Sequence, residues 1–320
     1  MFSTVYIGSD YFSAIVLENL IRLERCEVRA VGTYPDKPHG RGHKLMPTPV
    51  KFAAQKFGLP VIEIADPADT KIHSELRKYD VPIGIMVSFR IVPPEFLKIF
   101  ECGFINLHPS LLPDLRGAAP IQWAIMNGYK TSGITTFIID EKVDSGNILM
   151  QRKFEIGQDE TTREIFEKIA PDSAELLVES IEKYLSGEIS PSKQSGKILH
   201  KAPRIKRKHQ IIHWDWNSQK IHNRIRGLSP TPGALAKFGG KMVKILRSKL
   251  TDVRTSGEPG EIAEIPEITG QKNENGIAVN TADKVILLTE IQPAGKKIMK
   301  ATDFARGYLK KTVMFEEIVE

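Results

Sequence analysis

The chain has 320 residues, of which 41% are apolar and 26% charged, and a net charge of +6; this is the make-up of an ordinary globular protein, at a length that favours two domains over one. No apolar run nears the roughly 20 residues of a membrane-spanning helix, so no membrane partner is expected. The opening MFSTVYIGSD has neither a basic start nor a long apolar stretch and reads as a strand entering the fold, not as a signal peptide; no basic, Ser-rich leader supports organelle import, and a cytoplasmic protein is expected.

In chain order, TVYIGS and VRAVGTY read as strands around a helix over about 12–23. The first turn, GSDYFS, lacks G-x-G-x-x-G, so no dinucleotide is expected there. His39 and His43 lie four apart without a carboxylate or thiol at ligand spacing, and Cys26 and Cys102 adjoin apolar segments. The cysteines therefore read as reduced core residues, and no metal site is predicted. LPVIEI, VPIGIMV and FINL are further short apolar strands, separated by helical stretches near 49–57, 67–79 and 117–127. That alternation predicts an α/β fold: a Rossmann-like, doubly wound parallel sheet, with ligands outside the carboxyl ends of its strands.

The strand FINL ends in FINLHPSLLPDLRGAAP, residues 104–120. Asn106 and His108 are two apart and so share one face of a strand. An amide donor and a potential acid/base then point the same way, the pair that transfer of an acyl group requires. Alone, such a tripeptide is more often a turn amide and a structural histidine. After the strand GITTFII comes IIDEKVDSGNIL (138–149), whose turn carries Asp140 and Asp144 and closes at Gly146. A carboxylate from this loop could orient an imidazole, although aspartates in such turns often only form the turn.

A helix over about 161–186 ends at Gly187, and GEISPSKQSGK follows as a linker. The boundaries read as a catalytic domain over 1–187, a linker over 188–204 and a C-terminal domain over 205–320. In the latter, Ser218 reads as the N-cap of a helix to about 226, LAKFGGKMVKIL as a hairpin about Gly239-Gly240, and GEIAEI, GIAVNT and KVILLTEI as strands, with a helix over about 302–309. These elements predict a smaller OB-like β-barrel.

Charge is uneven. From Gly196 to Lys249 there are fourteen Lys or Arg and one acid, Asp215, a local +13 that leaves −7 for the rest. The clusters, KAPRIKRKH among them, enclose Trp214 and Trp216. Cations with nearby aromatics predict a polyanion surface, with RNA as the partner.

Taken together, these motifs resemble the methionyl-tRNA formyltransferase family of folate-dependent formyltransferases, and the resemblance runs over nearly the whole chain. INLHPSLLPDLRGAAPIQWAI is similar to the family's formyl-folate segment and VDSGNIL to its Asp-bearing loop. PDKPHGRGHKLMPTPVK (35–51) resembles its basic loop, and IHNRIRGLSPTPGA and EIQPAGKKIM resemble its C-terminal motifs. The resemblance implies Asn106, His108 and Asp144 as catalytic residues and Ser110, Leu111, Leu112 and Pro113 as the folate site. It implies tRNA contacts from Arg41 and Lys44, and the basic run adds Lys206, Arg207 and Lys208. The donor would be 10-formyltetrahydrofolate, without a metal, and the acceptor the amino group of charged initiator methionyl-tRNA; nothing suggests more than a monomer. Three segments depart from the family pattern: GSDYF in the first turn, VSFRIVP (87–93), whose Phe89 or Arg90 would alter the folate wall, and Asp114-Leu115, an acid expected to weaken folate-tail contacts. Other readings of the same residues are formyl transfer to a sugar-nucleotide amine, hydrolysis of the formyl-folate, and an idle RNA-binding scaffold.

Overall fold

The computed structural model describes residues 1–39, 44–265, 267, 275–309 and 314–318. Cα packing divides the chain into two compact units, Met1–Pro120 with Thr131–Glu155 and Phe166–Pro203, and Ile121–Lys130 with Ile156–Ile165 and Arg204–Glu320.

The chain runs β1 (Phe2–Gly8), α1 (Tyr11–Arg22), β2 (Cys26–Thr33), β3 (Lys37–His39), β4 (Lys44–Met46), α2 (Pro49–Lys56), β5 (Val61–Glu63), α3 (Thr70–Arg77), β6 (Ile83–Val87), α4 (Pro94–Leu97) and β7 (Phe104–His108). After α5 (Pro120–Met126) come β8 (Thr131–Ile138), β9 (Ile148–Glu155) and α6 (Thr162–Leu185). Helix starts are written in the sequence. Asp10 accepts from Ser13 N at 2.9 Å, and Thr48 from Lys51 N at 3.0 Å ahead of Pro49. Each side chain satisfies an amide that the first helical turn leaves without a partner.

The main sheet has the order β5-β2-β1-β6-β7-β8-β9. From β5 to β7 the strands are parallel, whereas β8 pairs antiparallel with both β7 and β9. The expected Rossmann-like sheet is present, with an antiparallel edge that hydrophobic pattern alone does not reveal, since pattern reports burial and not direction. Central strands β1 and β6 carry Val5, Ile7, Ile83 and Ile85 with no exposure, as in a sheet covered on both faces. Strand order reverses between β1 and β6, which puts a ligand crevice at the carboxyl ends there.

The second unit holds a 3₁₀ turn at Arg207–His209, α7 (Ser218–Gly227), β10 (Ala234–Phe238), β11 (Lys241–Arg254), β12 (Ile277–Asn280), β13 (Lys284–Pro293), β14 (Met299–Lys300), α8 (Ala301–Tyr308) and β15 (Phe315–Glu316). The strands form a curled antiparallel sheet of order β12-β13-β11-β10-β15, with β14 beside β13. Gly239 and Gly240, at φ 55° and 73°, make the tight turn between β10 and β11 that only left-handed backbone allows. The N-cap of α7 is Asn217, whose side chain accepts from Lys220 N at 2.8 Å, one residue ahead of the expected Ser218.

GEIAEI does not form the predicted strand. Its Glu261 bridges Met314 and its Ile262 bridges Val279, so the segment clasps the two ends of the sheet order, β12 and the approach to β15. Backbone bonds from Phe315 N to Gly260 O (2.8 Å) and from Ala263 N to Ala278 O (2.9 Å) complete the clasp. This curls the sheet into an OB-like barrel form around Trp214, Ile225, Phe238, Ile245, Ile286 and Phe304.

Candidate active site

Strand β7 delivers two of the expected side chains. Asn106 stands opposite Met86 on β6 and Phe137 on β8, and His108 opposite Thr135. The His108 ring is 6% exposed, and its Nε2 lies 3.0 Å from Leu115 O. A carbonyl only accepts, so Nε2 carries the hydrogen and donates it. The other ring nitrogen, Nδ1, faces Asp144 Oδ2 at 3.8 Å. A proton arriving at Nδ1 would place the positive ring between a carboxylate and a carbonyl.

Asp144 is held by two hydrogen bonds. Its backbone is left-handed, at φ 50°. Its Oδ2 accepts from Gly117 N at 2.8 Å, and its carbonyl accepts from Gln194 Nε2 at 2.9 Å. Arg116 Nε donates in turn to Gln194 Oε1 at 3.1 Å. Gly117 has φ 128°, and a Cβ there would sit 2.4 Å from Ala202 O, so the donor to Asp144 comes from a position open only to glycine. Asp140, by contrast, is spent on its own turn, accepting from Lys142 N at 3.0 Å and Ser145 Oγ at 2.8 Å. The turn alone left the two aspartates equivalent and only the family resemblance singled out Asp144; in the structure Asp140 forms the turn and Asp144 is the one that meets His108.

Asn106 and Asp144 line one cleft with an apolar wall of Met86, Val92, Phe137 and Ile139. Among the described residues the Asn106 side chain makes no hydrogen bond, so its amide is available to a ligand. Phe89 and Arg90, the predicted departures, do line this cleft.

Ser110, Leu111, Leu112 and Pro113 do not line it. Ser110 has no exposure and donates to Asp114 O at 2.7 Å, while Leu112 O accepts from Gln151 Nε2 at 3.0 Å. Leu111 packs over Gly133, where its Cδ2 comes within 2.3 Å of where a Cβ would stand. These residues brace the loop that carries the Leu115 carbonyl. Asp114 Oδ1 accepts from Leu199 N (2.9 Å) and His200 N (2.8 Å), tying down the linker.

Of the expected tRNA contacts, Arg41 lies outside the described residues, and for Lys44 only the backbone, in β4, is described. Lys206, Arg207 and Lys208 are exposed at the 3₁₀ turn and make no ion pair among the described residues. Part of the +13 segment is interior. Arg226 is 6% exposed and donates to Gly157 O at 3.0 Å and Glu160 O at 3.1 Å; burial pushes its pKa down, as it does that of Arg224. Trp214 is 5% exposed in the barrel core, which corrects the expectation that both tryptophans face RNA. Trp216 is half-buried under Lys220, whose Nζ is 3.8 Å from the ring centre. Burial pushes the Cys26 thiol up to about 12, in keeping with an inert core residue. No helix is long and apolar enough to cross a membrane, and no metal-holding group of His, Cys, Asp and Glu occurs among the described residues.

The chain matches the formyl transferase family model over residues 5–181 and the formyl transferase C-terminal domain over 204–309. It is 38% identical over 312 residues to the methionyl-tRNA formyltransferase of Heliobacterium modesticaldum, covering 95% of this chain and 96% of that one. It is also 38% identical over 309 residues to that of Clostridium acetobutylicum, covering 96% and 97%. Among solved structures, HypX from Aquifex aeolicus in complex with tetrahydrofolic acid superposes with a TM-score of 0.67 at 19% identity, over 100% of this chain and 51% of that one. An N-formyltransferase from Helicobacter canadensis superposes with a TM-score of 0.63 at 22% identity, over 92% and 100%. At these identities the superpositions speak for the fold.

Proposed function

The chain belongs to the formyl transferase family, and from that premise we propose that it transfers the formyl group of 10-formyltetrahydrofolate to the amino group of methionyl initiator tRNA, for use in translation initiation. The observation that carries this is the similarity to methionyl-tRNA formyltransferases over nearly the full length of both chains. The site supports the same chemistry.

In the reaction the amine attacks the formyl carbon; a new C–N bond forms, negative charge gathers on the formyl oxygen, and the bond to the folate nitrogen breaks. The free amide of Asn106 donates to that oxygen, in a cleft whose apolar wall limits competing water. The amine gives up a proton and the departing nitrogen takes one. His108 Nδ1 is the ring position open to it, because Nε2 is committed to Leu115 O. Asp144 stabilises the charged ring, and Gly117 N keeps Asp144 aligned. The same cleft suits the flat ring system of the folate, with Met86, Val92, Phe137 and Ile139 as its apolar wall. The loop of Ser110, Leu111, Leu112 and Pro113 supports that site from behind His108. Arg41, Lys44, Lys206, Arg207 and Lys208 would hold tRNA phosphates. The proposed setting is a monomer working in the cytoplasm.

The test is single-turnover transfer from 10-formyltetrahydrofolate to methionine-charged initiator tRNA, with elongator methionyl-tRNA, a sugar-nucleotide amine and water as competing acceptors. Rapid, initiator-selective product is expected, and His108→Ala should lower kcat at least tenfold without unfolding the protein. Near-normal turnover in that variant removes the role given to His108. Release of formate without transfer removes the function itself.

A further inference from the structure

The 188–204 segment has the composition of a linker, yet it is bonded to both loops that supply the partners of His108. Ser192 and Ile148 exchange backbone hydrogen bonds of 2.8 and 2.7 Å at the start of β9. Farther along, Leu115 N donates to His200 O at 3.0 Å, and Ala202 N donates to Arg116 O at 2.8 Å. Leu115 carries the carbonyl that His108 Nε2 meets, and Asp144 faces Nδ1. Both sides of the ring therefore depend on loops that this segment ties down.

Gln194 stands between those fastenings. Its Nε2 donates to Asp144 O and to Gly146 O, each at 2.9 Å. Its Oε1 accepts from Arg116 Nε at 3.1 Å and Nη2 at 2.5 Å. Carbonyls only accept and a guanidinium only donates, so these partners fix which way the amide faces. Both amide hydrogens and both oxygen lone pairs are used. A glutamate here would have nothing to donate to the carbonyls, and a lysine nothing to offer Arg116. The two carbonyls bracket the backbone of Asp144, whose φ of 50° a non-glycine residue keeps only where its surroundings hold it. Gly117 N fixes the end of the Asp144 carboxylate, and Gln194 fixes the backbone from which it projects. Gln194 does not line the cleft, so it acts on the chemistry through Asp144 alone.

We propose that Gln194 is a positioning residue for the transfer reaction: it holds the Asp144 loop so that the carboxylate meets His108, and Arg116 holds the amide of Gln194 in the orientation this needs. The linker is then a working part of the active site and not only a tether. This rests on the function proposed above.

The experiment measures kcat and both KM values for formylation of charged initiator tRNA by the full-length protein, as wild type, Gln194→Ala, Gln194→Glu, Asp144→Asn and the double variant Gln194→Ala/Asp144→Asn. Each Gln194 variant should lower kcat by about fivefold to thirtyfold, because a slightly misplaced partner of a reacting group is costly in rate. KM for the formyl donor and for tRNA should stay within about twofold, since neither ligand loses a contact. Once Asp144 has lost its charge, removing Gln194 should cost about twofold or less, because two residues that act through one interaction do not add. A general loosening of the fold would lower kcat by the same factor in both backgrounds, and that result overturns the proposal. So does a kcat within twofold of wild type in a folded Gln194→Ala protein. If a thermal melt shows Gln194→Ala unfolded, Arg116→Met enters the same cycle. Its loss should be smaller and should again vanish beside Asp144→Asn; a loss that persists there overturns the proposal. Failure of wild type to formylate the tRNA at all would instead remove the function on which the proposal rests.

Discussion

Asp144→Asn isolates one charge with almost no change of shape. The side chains of His108 and Asp144 are 6% and 13% exposed, and Nδ1 lies 3.8 Å from Oδ2. Opposite unit charges at that distance attract by about 4 kcal/mol at the effective dielectric constant of about 20 that suits such partly buried pairs. The attraction counts only when the ring is charged, so it acts on the step in which His108 holds the transferred proton. Residual water screens part of it, and a net loss of about 2–4 kcal/mol corresponds to a fall in kcat of roughly 30-fold to 1000-fold. Asparagine can still accept from Gly117 N, so the loop should survive with about 1 kcal/mol of stability lost with the charge-assisted bond. The assay is single-turnover formyl transfer at saturating donor and tRNA, paired with a thermal melt. A variant within threefold of wild type, with the fold intact, would refute the argument that Asp144 works through charge on His108.

Asn106→Ala should lower kcat by about 100-fold to 1000-fold, the usual cost of a lost oxyanion donor. A melt should show little change, because the amide has no partner in the fold to lose among the described residues. Gly117→Ala should destabilise by about 1–3 kcal/mol and slow transfer too, since its Cβ meets the Ala202 carbonyl at 2.4 Å and displaces the amide that holds Asp144; calorimetry and turnover together check it. His222, 1% exposed, lies against Ser248 Oγ at 2.9 Å and Gln158 O at 3.1 Å, with Asp159 and Arg226 nearby; desolvation pushes its pKa below the ordinary 6.5. Above that value the ring is neutral in both states. Below it the unfolded chain takes a proton that the folded site resists, so stability falls with falling pH. Denaturant midpoints at pH 7.5 and 5.5 should show a smaller acid loss in His222→Gln than in wild type, and equal losses would refute the assignment.

The placement of Asn106 and His108 was legible because a strand's two-residue period and a following Pro-rich loop both mark the same point, and β7 ends at His108. The Gly-Gly hairpin was legible because its turn type has few sequences. What escaped depends on partners distant in the chain. β9 (ILMQRKFE) has a burial pattern typical of one covered face, yet nothing local says that it runs antiparallel at the sheet edge. GEIAEI alternates like a strand, and only Val279 and Met314 turn it into a clasp. Trp214 and Trp216 are separated by one residue amid like charges, and no local signal says which ring the core claims. Asp114 looked like a misplaced charge; its use as an acceptor for two amides some 85 positions away could not be read from its neighbours.

The clasp in the second unit has a consequence for how the protein keeps its own company. A curled sheet ordinarily ends in two rows of open amides and carbonyls, which invite a strand from another molecule. Here β12 is covered by residues 261–263. β10 is covered at one end by Phe315 and Glu316 and at the other by the backbone of Gln210 and Ile212 around Leu235. Two residues near the C-terminus thus guard the flank of a strand some 80 positions earlier. Loss of those few residues would take the Phe315 ring out of the barrel core, where it packs on Trp214 and Phe238, and would also turn a self-contained sheet into a template for aggregation.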